Sequence, residues 1–364
     1  MTAQVKQYIP SYRIMVQGTE LLHGASVDVL SVSVTDTIDR ADSFNFTMRE
    51  RHPEHGRLFA GGAELQWLDG DVFNEGNEVE IHLGYAGDLR LILRGEITAV
   101  TPNFPESGQP TLQVEGFSLY HELQRQHRRE PFESATDSGI AREIAGAMGL
   151  TVEVDETEAE HPLFSPRGAS YAQILQERAS RIGYEVTVKD RTLYFQRPRY
   201  LSNPSPALTL EWGRNLRSFS PRLSIHNMVT QVTMRASQTT QGRGKEPLVG
   251  EARAGDERVK MGQETGNQIA QRVFGENTVL IEDHSVASAQ EANEIALAQL
   301  EARALRFITG TGASIGDPQL RARTVIELVG LGRGFSGRYY VTSTTHTINS
   351  SGYQTNFEVK RNGR

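Results

Sequence analysis

From Gly310 to Lys360 the chain alternates so regularly between side chains that bury and side chains that hydrate that β-structure is the natural reading. It runs Gly310-Thr-Gly-Ala-Ser-Ile-Gly-Asp-Pro-Gln-Leu320, Arg323-Thr-Val-Ile-Glu-Leu-Val-Gly330, Gly334-Phe-Ser-Gly-Arg-Tyr-Tyr-Val-Thr342, Thr345-His346 and Gly352-Tyr-Gln-Thr-Asn-Phe-Glu-Val-Lys360. Glycine turns cut it into three or four strands. In the last of them Tyr353, Thr355, Phe357 and Val359 share one face, and Gln354, Asn356, Glu358 and Lys360 the other. That period of two is the mark of a strand with one wet side.

The same pattern fills residues 8–118. Tyr12, Ile14 and Val16 alternate, as do Val27 and Val29 and the run from Ser31 to Val34. Phe44, Phe46 and Met48 share a face, and Gly18 and Gly24 supply turns. Val79, Ile81, Leu83 and Tyr85 point inward while Glu80 and His82 point outward. Leu89–Val100 and Thr111–Phe117 add two more strands, with Gly95 marking a bulge or a close backbone approach. Many short strands without helices predict a barrel or sandwich.

An internal repeat links the two stretches. Val79-x-Ile-x-Leu-Gly84, Arg94-Gly-Glu-Ile-Thr98 and Thr111-Leu-Gln-Val114 parallel Val325-x-Glu-Leu-Val-Gly330, Ser336-Gly-Arg-Tyr-Tyr-Val-Thr342 and Thr355-Asn-Phe-Glu-Val359 in strand length, order and turn position. Two copies of one β-domain is the simplest explanation.

Residues 119–200 change character. Asp137–Met148 predicts a helix, with Ile140, Ile144 and Met148 on one side and Gly149 as the stop. Ser170-Tyr-Ala-Gln173 is a capping box opening a second helix that buries Ile174, Ile182 and the apolar stem of Arg178 before Gly183. Tyr184–Val188, a Lys189-Asp190-Arg191 turn and Thr192–Phe195 form a hairpin ended by Pro198, and Asn203–Pro206 reads as a linker. A second β-domain opens near Leu208. Ser237–Gly266, poor in apolar residues, reads as a long exposed loop or arm whose Arg243, Lys245, Arg253 and Lys260 alternate with acids, ordered by a neighbouring chain. Ser288-Ala-Gln-Glu291 caps a helix over about 289–306, with Leu297, Leu300, Ala304 and Phe307 toward the sheet.

Composition sets limits. At 364 residues the chain holds two or three domains. It has no apolar run of about 18 residues and no basic-then-apolar leader, so neither membrane insertion by this chain nor secretion by a signal is expected. Without cysteine it forms no disulfide or thiolate site. A net charge of -7 argues against specific nucleic-acid binding, and Arg125-Gln-His-Arg-Arg129 reads as a solvated connector.

Three motifs imitate chemistry. Gly332-Arg-Gly-Phe-Ser-Gly337 matches a dinucleotide fingerprint but leads into a β-run rather than a helix, so a hairpin turn is expected. Gly312-Ala-Ser-Ile-Gly316 matches a nucleophile elbow, yet a helix precedes it and Asp317-Pro318 follows, the reverse of what Ser314 would need even with His346 downstream. His52-Pro-Glu-His55 lies in a surface-loop context, Asp69 and Asp71 flank Gly70 as a turn, and His346 is expected to hydrogen-bond across a barrel. No catalytic residue, cofactor site or metal site is expected, and the rival reading of a carbohydrate- or receptor-binding β-protein finds only Trp67 and Trp212.

Taken in order, Pro-Gln-Leu, a strand, Gly-Phe-Ser-Gly-Arg-Tyr-Tyr-Val, Thr-His and Gly-Tyr-x-Thr resemble the ending of the phage late control gene D proteins. These are the baseplate hubs of contractile tails and related injection systems, and spike proteins of the VgrG kind carry a similar segment. The resemblance implies an α+β, mainly β chain with two tail-tube-like β-barrel domains, 1–118 and 204–364, around a small α/β domain, 119–203. It further implies a homotrimer that sets six tube-like domains in a ring around a central channel. Expected partners are the inner tube protein, a separate spike protein, and baseplate wedge or other baseplate proteins. Assembly is expected in the cytoplasm, into a phage tail or injection particle. VgrG-type chains continue into an oligonucleotide-fold domain and a needle. This one reaches Arg364 four residues after Lys360, which fits a hub whose spike is another chain.

Overall fold

The computed structural model describes residues 9–21, 29–38, 40–50, 65–236, 247–282 and 286–364. Val27, Gly24, His52, His55 and the stretch 237–246, with Arg243 and Lys245, lie outside them. The protein is mainly β, as its alternation predicts.

The first region contributes β1 (Pro10–Val16), β2 (Thr19–Glu20), β3 (Val29–Thr37), β4 (Ser43–Arg49), β5 (Glu78–Tyr85), β6 (Asp88–Asn103) and β7 (Thr111–Ser118). Its alternating residues Val32, Val34, Phe46, Val79, Ile81, Leu83 and Val114 are fully buried in one core with Trp67 and Phe73. Burial of each such side chain contributes about 1.5–3 kcal/mol. Gly95 is a close-approach point: a Cβ there would sit 2.3 Å from the Phe117 carbonyl oxygen.

Next come α1 (Tyr120–Arg125), β8 (Phe132–Thr136), α2 (Asp137–Ala147), β9 (Thr151–Val154), β10 (Glu160–Phe164), α3 (Tyr171–Ile182), β11 (Glu185–Lys189), β12 (Thr192–Gln196) and the single turn α4 (Arg199–Ser202). The capping box forms as read: Ser170 Oγ accepts from Gln173 N and Gln173 Oε1 from Ser170 N. Gly183 ends α3 at φ 72°, in the left-handed region. Arg178 departs from the reading. Its whole guanidinium is buried, pairing with Asp137 and meeting the His161 ring, so the residue is an ionic core group rather than an apolar stem.

The last region adds β13 (Leu208–Glu211), β14 (Leu216–Leu223), β15 (Gln231–Ala236), β16 (Leu248–Arg253), α5 (Gly266–Phe274), β17 (Thr278–Glu282), α6 (Ala289–Ala304), β18 (Ile308–Ile315), β19 (Val325–Val329), the turn α7 (Gly332–Phe335), β20 (Gly337–Asn349) and β21 (Gly352–Arg361). Here the expected loop is corrected over its described part, 247–266. β16 pairs along its length with β15 and lies under α6. It looks unlike a core strand because its buried positions are Gly250 and Ala252, and a Cβ on Gly250 would collide with the Ala292 backbone at 2.2 Å. Glu257 is buried too, its carboxylate accepting from Gly255 N and Asn267 Nδ2. α5 begins at a second capping box, Thr265 with Gln268.

Most strands join one sheet in the order β14-β18-β21-β20-β3-β4-β7-β6-β5-β1-β2, with β19 and β13 branching from β20. The order contains the same pattern twice: β3-β4-β7-β6-β5-β1 and β14-β18-β21-β20-β19-β13. Both repeat triplets, β5-β6-β7 and β19-β20-β21, are antiparallel meanders. Each middle strand shifts register at the matching threonine, between Ile97 and Ala99 and between Val341 and Ser343. The outermost members differ, since β1 runs antiparallel to β5 and β13 parallel to β19. The two units meet where Ser343–Asn349 of β20 pairs with β3. The second unit has its own core around Phe307, Leu328, Tyr339, Phe357 and Val359. A third core joins α2 and α3 to β15, β16 and α6 across the chain.

Candidate functional site

The motifs that imitate chemistry lie apart from one another. Ser314 sits inside β18 with no exposed surface, donating its hydroxyl to the Thr355 carbonyl. A helix turn of four residues over Gly332–Phe335 leads straight into β20, too short to cradle a pyrophosphate. His346 is buried in β20, its Nδ1 2.9 Å from Tyr353 Oη and 3.0 Å from Thr355 Oγ1. Burial, reinforced by Arg321, pushes its pKa down to about 3, so the ring is neutral at physiological pH. Trp67 is in the first core, whereas Trp212 is 63% exposed. The basic connector is largely exposed, with Arg128 pinned between Glu143 and the face of Phe132.

Two other arrangements stand out, and both are built from residues far apart in sequence. The first is an ionic junction where the three regions meet. Asp36 at the end of β3 is 1% exposed and pairs with Lys189 of β11 and, at 2.7 Å, with Arg321 Nε. Asp42 takes the other side of Lys189 at 2.6 Å and accepts from Thr37 N. Arg321 also donates to the Ile92 carbonyl, and Arg323 to Glu185 and Thr187 of β11. Tyr340 closes the group by donating to Glu185. A cavity of about 260 Å³ lies against Asp36, Asp42, Lys189, Arg321 and Arg323.

Electrostatics divides the two aspartates. Burial works to raise Asp36, but Lys189 and Arg321 together outweigh it and hold the carboxyl below the usual carboxylate range. Asp42 is pushed up to about 6 by burial, which Lys189 opposes and the charge on Asp36 reinforces. Burial also raises Glu185, against the pull of Arg323 and Tyr340.

The second arrangement is the outward face of the long sheet. Its register sets Ser218, Ala313, Asn356, Thr345, Thr35 and Ser43 side by side across six strands. The next row is Ile315, Gln354, Thr347, Ser33, Asn45 and Glu115. Neither row holds a lysine or arginine. Hydroxyls bridge the two units at 3.1 Å between Thr35 and Thr345 and 3.5 Å between Ser33 and Thr347. Where the first row reaches β6, Glu96 meets His121 and Glu122 of α1, a cluster that no local spacing announces.

Among the described residues no helix is long and apolar enough to cross a membrane. The fold is that of known tail proteins. The chain is similar to the 43 kDa tail protein of prophage MuSo2 from Shewanella oneidensis, with 13% identity and a TM-score of 0.68 over 97% of this chain and 98% of that one. It is equally similar to a tail protein from Neisseria meningitidis MC58, with 16% identity and a TM-score of 0.68 over 97% of each chain. An E. coli component of the type VI secretion system, itself structurally similar to two T4 bacteriophage tail proteins, aligns with a TM-score of 0.58 and 11% identity over 95% of this chain and 76% of that one. No curated protein matches. A family model described as the Alg8 N-terminal domain matches residues 6–350, nearly the whole sequence, and the chain belongs to that family.

Proposed function

We propose that this chain is the structural hub of a contractile tail or injection baseplate: a homotrimer that adapts a sixfold inner tube to a threefold spike, without catalysis. The division into 1–118, 119–203 and 204–364 and the resemblance to the late control gene D proteins belong to the same reading. Its partners are the tube protein, a separate spike protein and other baseplate chains, and its place is in a tail or injection particle.

One observation carries the reading. The two six-stranded units are joined head to tail by β20 and β3, and the corresponding edges at the other ends are free. Past Ile97, β6 pairs only with β7, and β14 has no ladder beyond β18, among the described residues. Counting three residues past the shifts in β6 and β20, Thr101 corresponds to Thr345; counting five past the matching shifts at Leu30 of β3 and Arg217 of β14, Arg222 corresponds to Thr35. A neighbouring copy placed by the same rule sets Thr101 opposite Arg222, and repetition around three chains closes a ring of six units. The face rich in hydroxyls and amides then lines the channel, where two central rows without lysine or arginine suit cargo that must slide.

The test exploits the absence of cysteine. Thr101→Cys with Arg222→Cys, oxidised in the assembled particle, is expected to give covalent species up to three chains. A hub mass of two or six chains, or no cross-link between copies, refutes the arrangement.

A further inference from the structure

The cluster at the end of the polar face has the makings of a metal site. His121 is 8% exposed and its ring lies beside Phe117, with centroids 6.3 Å apart. Its Nδ1 is 3.0 Å from the Ser118 carbonyl oxygen, which only accepts, so Nδ1 carries the proton and donates. Nε2 is thereby aimed, with its ring fixed, between two carboxylates: Glu122 Oε1 at 3.3 Å and Glu96 Oε2 at 3.6 Å. One ligand atom from each residue lies within 4.8 Å of the others.

The two separations from Nε2 are close to the spacing a metal requires. With bonds of 2.0–2.2 Å, neighbouring ligands of a tetrahedral Zn²⁺ stand about 3.3 Å apart. The two contacts to Nε2 need little adjustment to reach that value. The backbone carbonyl on Nδ1–H is the usual outer partner of a ligating histidine, fixing its tautomer. Two carboxylates converging on one ring nitrogen repel each other, and a cation between the three groups removes the repulsion. Nearby charges do not fill the place. Arg125 reaches Glu122 Oε1 at 3.3 Å from an exposed position, while Arg94 is engaged by Glu80 and Glu78 on β5.

We propose that Glu96, His121 and Glu122 bind a divalent first-row transition metal, with Zn²⁺ the natural probe and water completing the shell. The site ties β6 of the first sheet unit to α1, the first element of the next region. The inference does not depend on the trimer.

The experiment uses the untagged full-length chain, stripped with a chelator and titrated with Zn²⁺ against a chromophoric competitor, and with Co²⁺ read by its visible absorption. One equivalent of Zn²⁺ per chain is expected, with a four- or five-coordinate Co²⁺ spectrum. His121→Gln, Glu96→Gln and Glu122→Gln are each expected to weaken Zn²⁺ at least tenfold, whereas Glu211→Gln on distant β13 leaves it unchanged. Circular dichroism of the stripped variants separates lost ligation from lost folding. Should a variant fail to fold, the Co²⁺ spectrum of the wild-type chain before and after histidine-selective ethoxyformylation supplies the same answer. Absence of saturable binding, or one-equivalent binding that survives all three substitutions in folded protein, overturns the proposal. The first outcome would leave the cluster an internal polar contact of the protein, and the second would put the metal elsewhere.

Discussion

The ionic junction and the outward sheet face spend polar residues in opposite ways. At the junction Asp36, Asp42, Lys189, Arg321, Arg323 and Glu185 bring full charges together, largely away from water. On the sheet face, where charge costs nothing to hydrate, the two rows are mostly serine, threonine, asparagine and glutamine, with Glu115 at one end. The contrast teaches that polarity here is placed by task. Charges that must find partners make the three regions lock in one arrangement, since a misfit leaves a buried ion uncompensated. Neutral hydrogen-bonding groups make a wet surface that grips no ion strongly.

Substitutions can break that contrast at either end. The largest effect is expected from Asp36→Asn, which strands Arg321 and leaves Lys189 with Asp42 alone. Because both cations retain some solvent contact, the loss belongs at the lower end of the range for broken buried pairs, about 3 kcal/mol in urea unfolding at pH 7. A loss below about 1 kcal/mol would place the junction with ordinary surface pairs.

Asp42→Asn should reveal the junction through pH instead. The folded pKa of Asp42 is raised to about 6, so its stabilising contribution is complete below about pH 4 and is lost as pH rises through 6. Asp36, with a lowered folded pKa, contributes fully above about pH 4 and loses that contribution as pH falls further. Unfolding free energies from pH 3 to 7 should show the Asp42→Asn protein lacking the decline between pH 4 and 6 while keeping the acid limb. An unchanged decline would assign it to another group, with Glu185 the first to examine.

A smaller change is expected where the face joins the two units. Thr345→Val removes the hydroxyl contact to Thr35 and should cost about 0.5–1.5 kcal/mol, read by thermal or urea unfolding. Smallest of all is Asn356→Lys in the middle of the face, expected to shift stability within about 0.5 kcal/mol. If the face lines a channel, that same substitution should impair delivery by the assembled particle. Full delivery with the lysine in place would separate the face from the cargo path.

Much of this fold is legible in the sequence because strands report themselves locally. The alternation in β4, β5 and β21, the capping box at Ser170, the N-cap at Ser288 (where Glu291 reaches back to Ala287 N rather than closing the expected box) and the stop at Gly183 each need only a few neighbouring residues. The repeat was visible too, down to the threonine at which each long strand slips. β16 was hidden because it buries glycine and alanine beneath a helix, and a rule that seeks large apolar side chains passes over them. Thr265-Gly-Asn-Gln268 carried a capping signal inside what otherwise read as loop. Nothing local could disclose the junction. Lys189 reads as part of a turn, and its partners Asp36 and Asp42 lie 153 and 147 residues away. The same holds for Glu96 and His121, which meet only once β6 and α1 are in place.

The pairing of β3 with β20 also sets a timetable. Thr35 waits for Thr345, 310 residues later, and the first core is completed by Ile348 and Tyr353. At roughly 5–20 residues per second of synthesis, the leading strands spend on the order of 15–60 s with one edge bare. A ribosome that stalls before β20 therefore releases a chain whose first unit lacks its closing hairpin and still offers an unpaired strand to any passing β-edge. Placing the finishing piece 310 residues after the strand it pairs with makes synthesis of β20 and β21 a condition for a finished first unit, and gives quality control a simple feature to recognise in fragments.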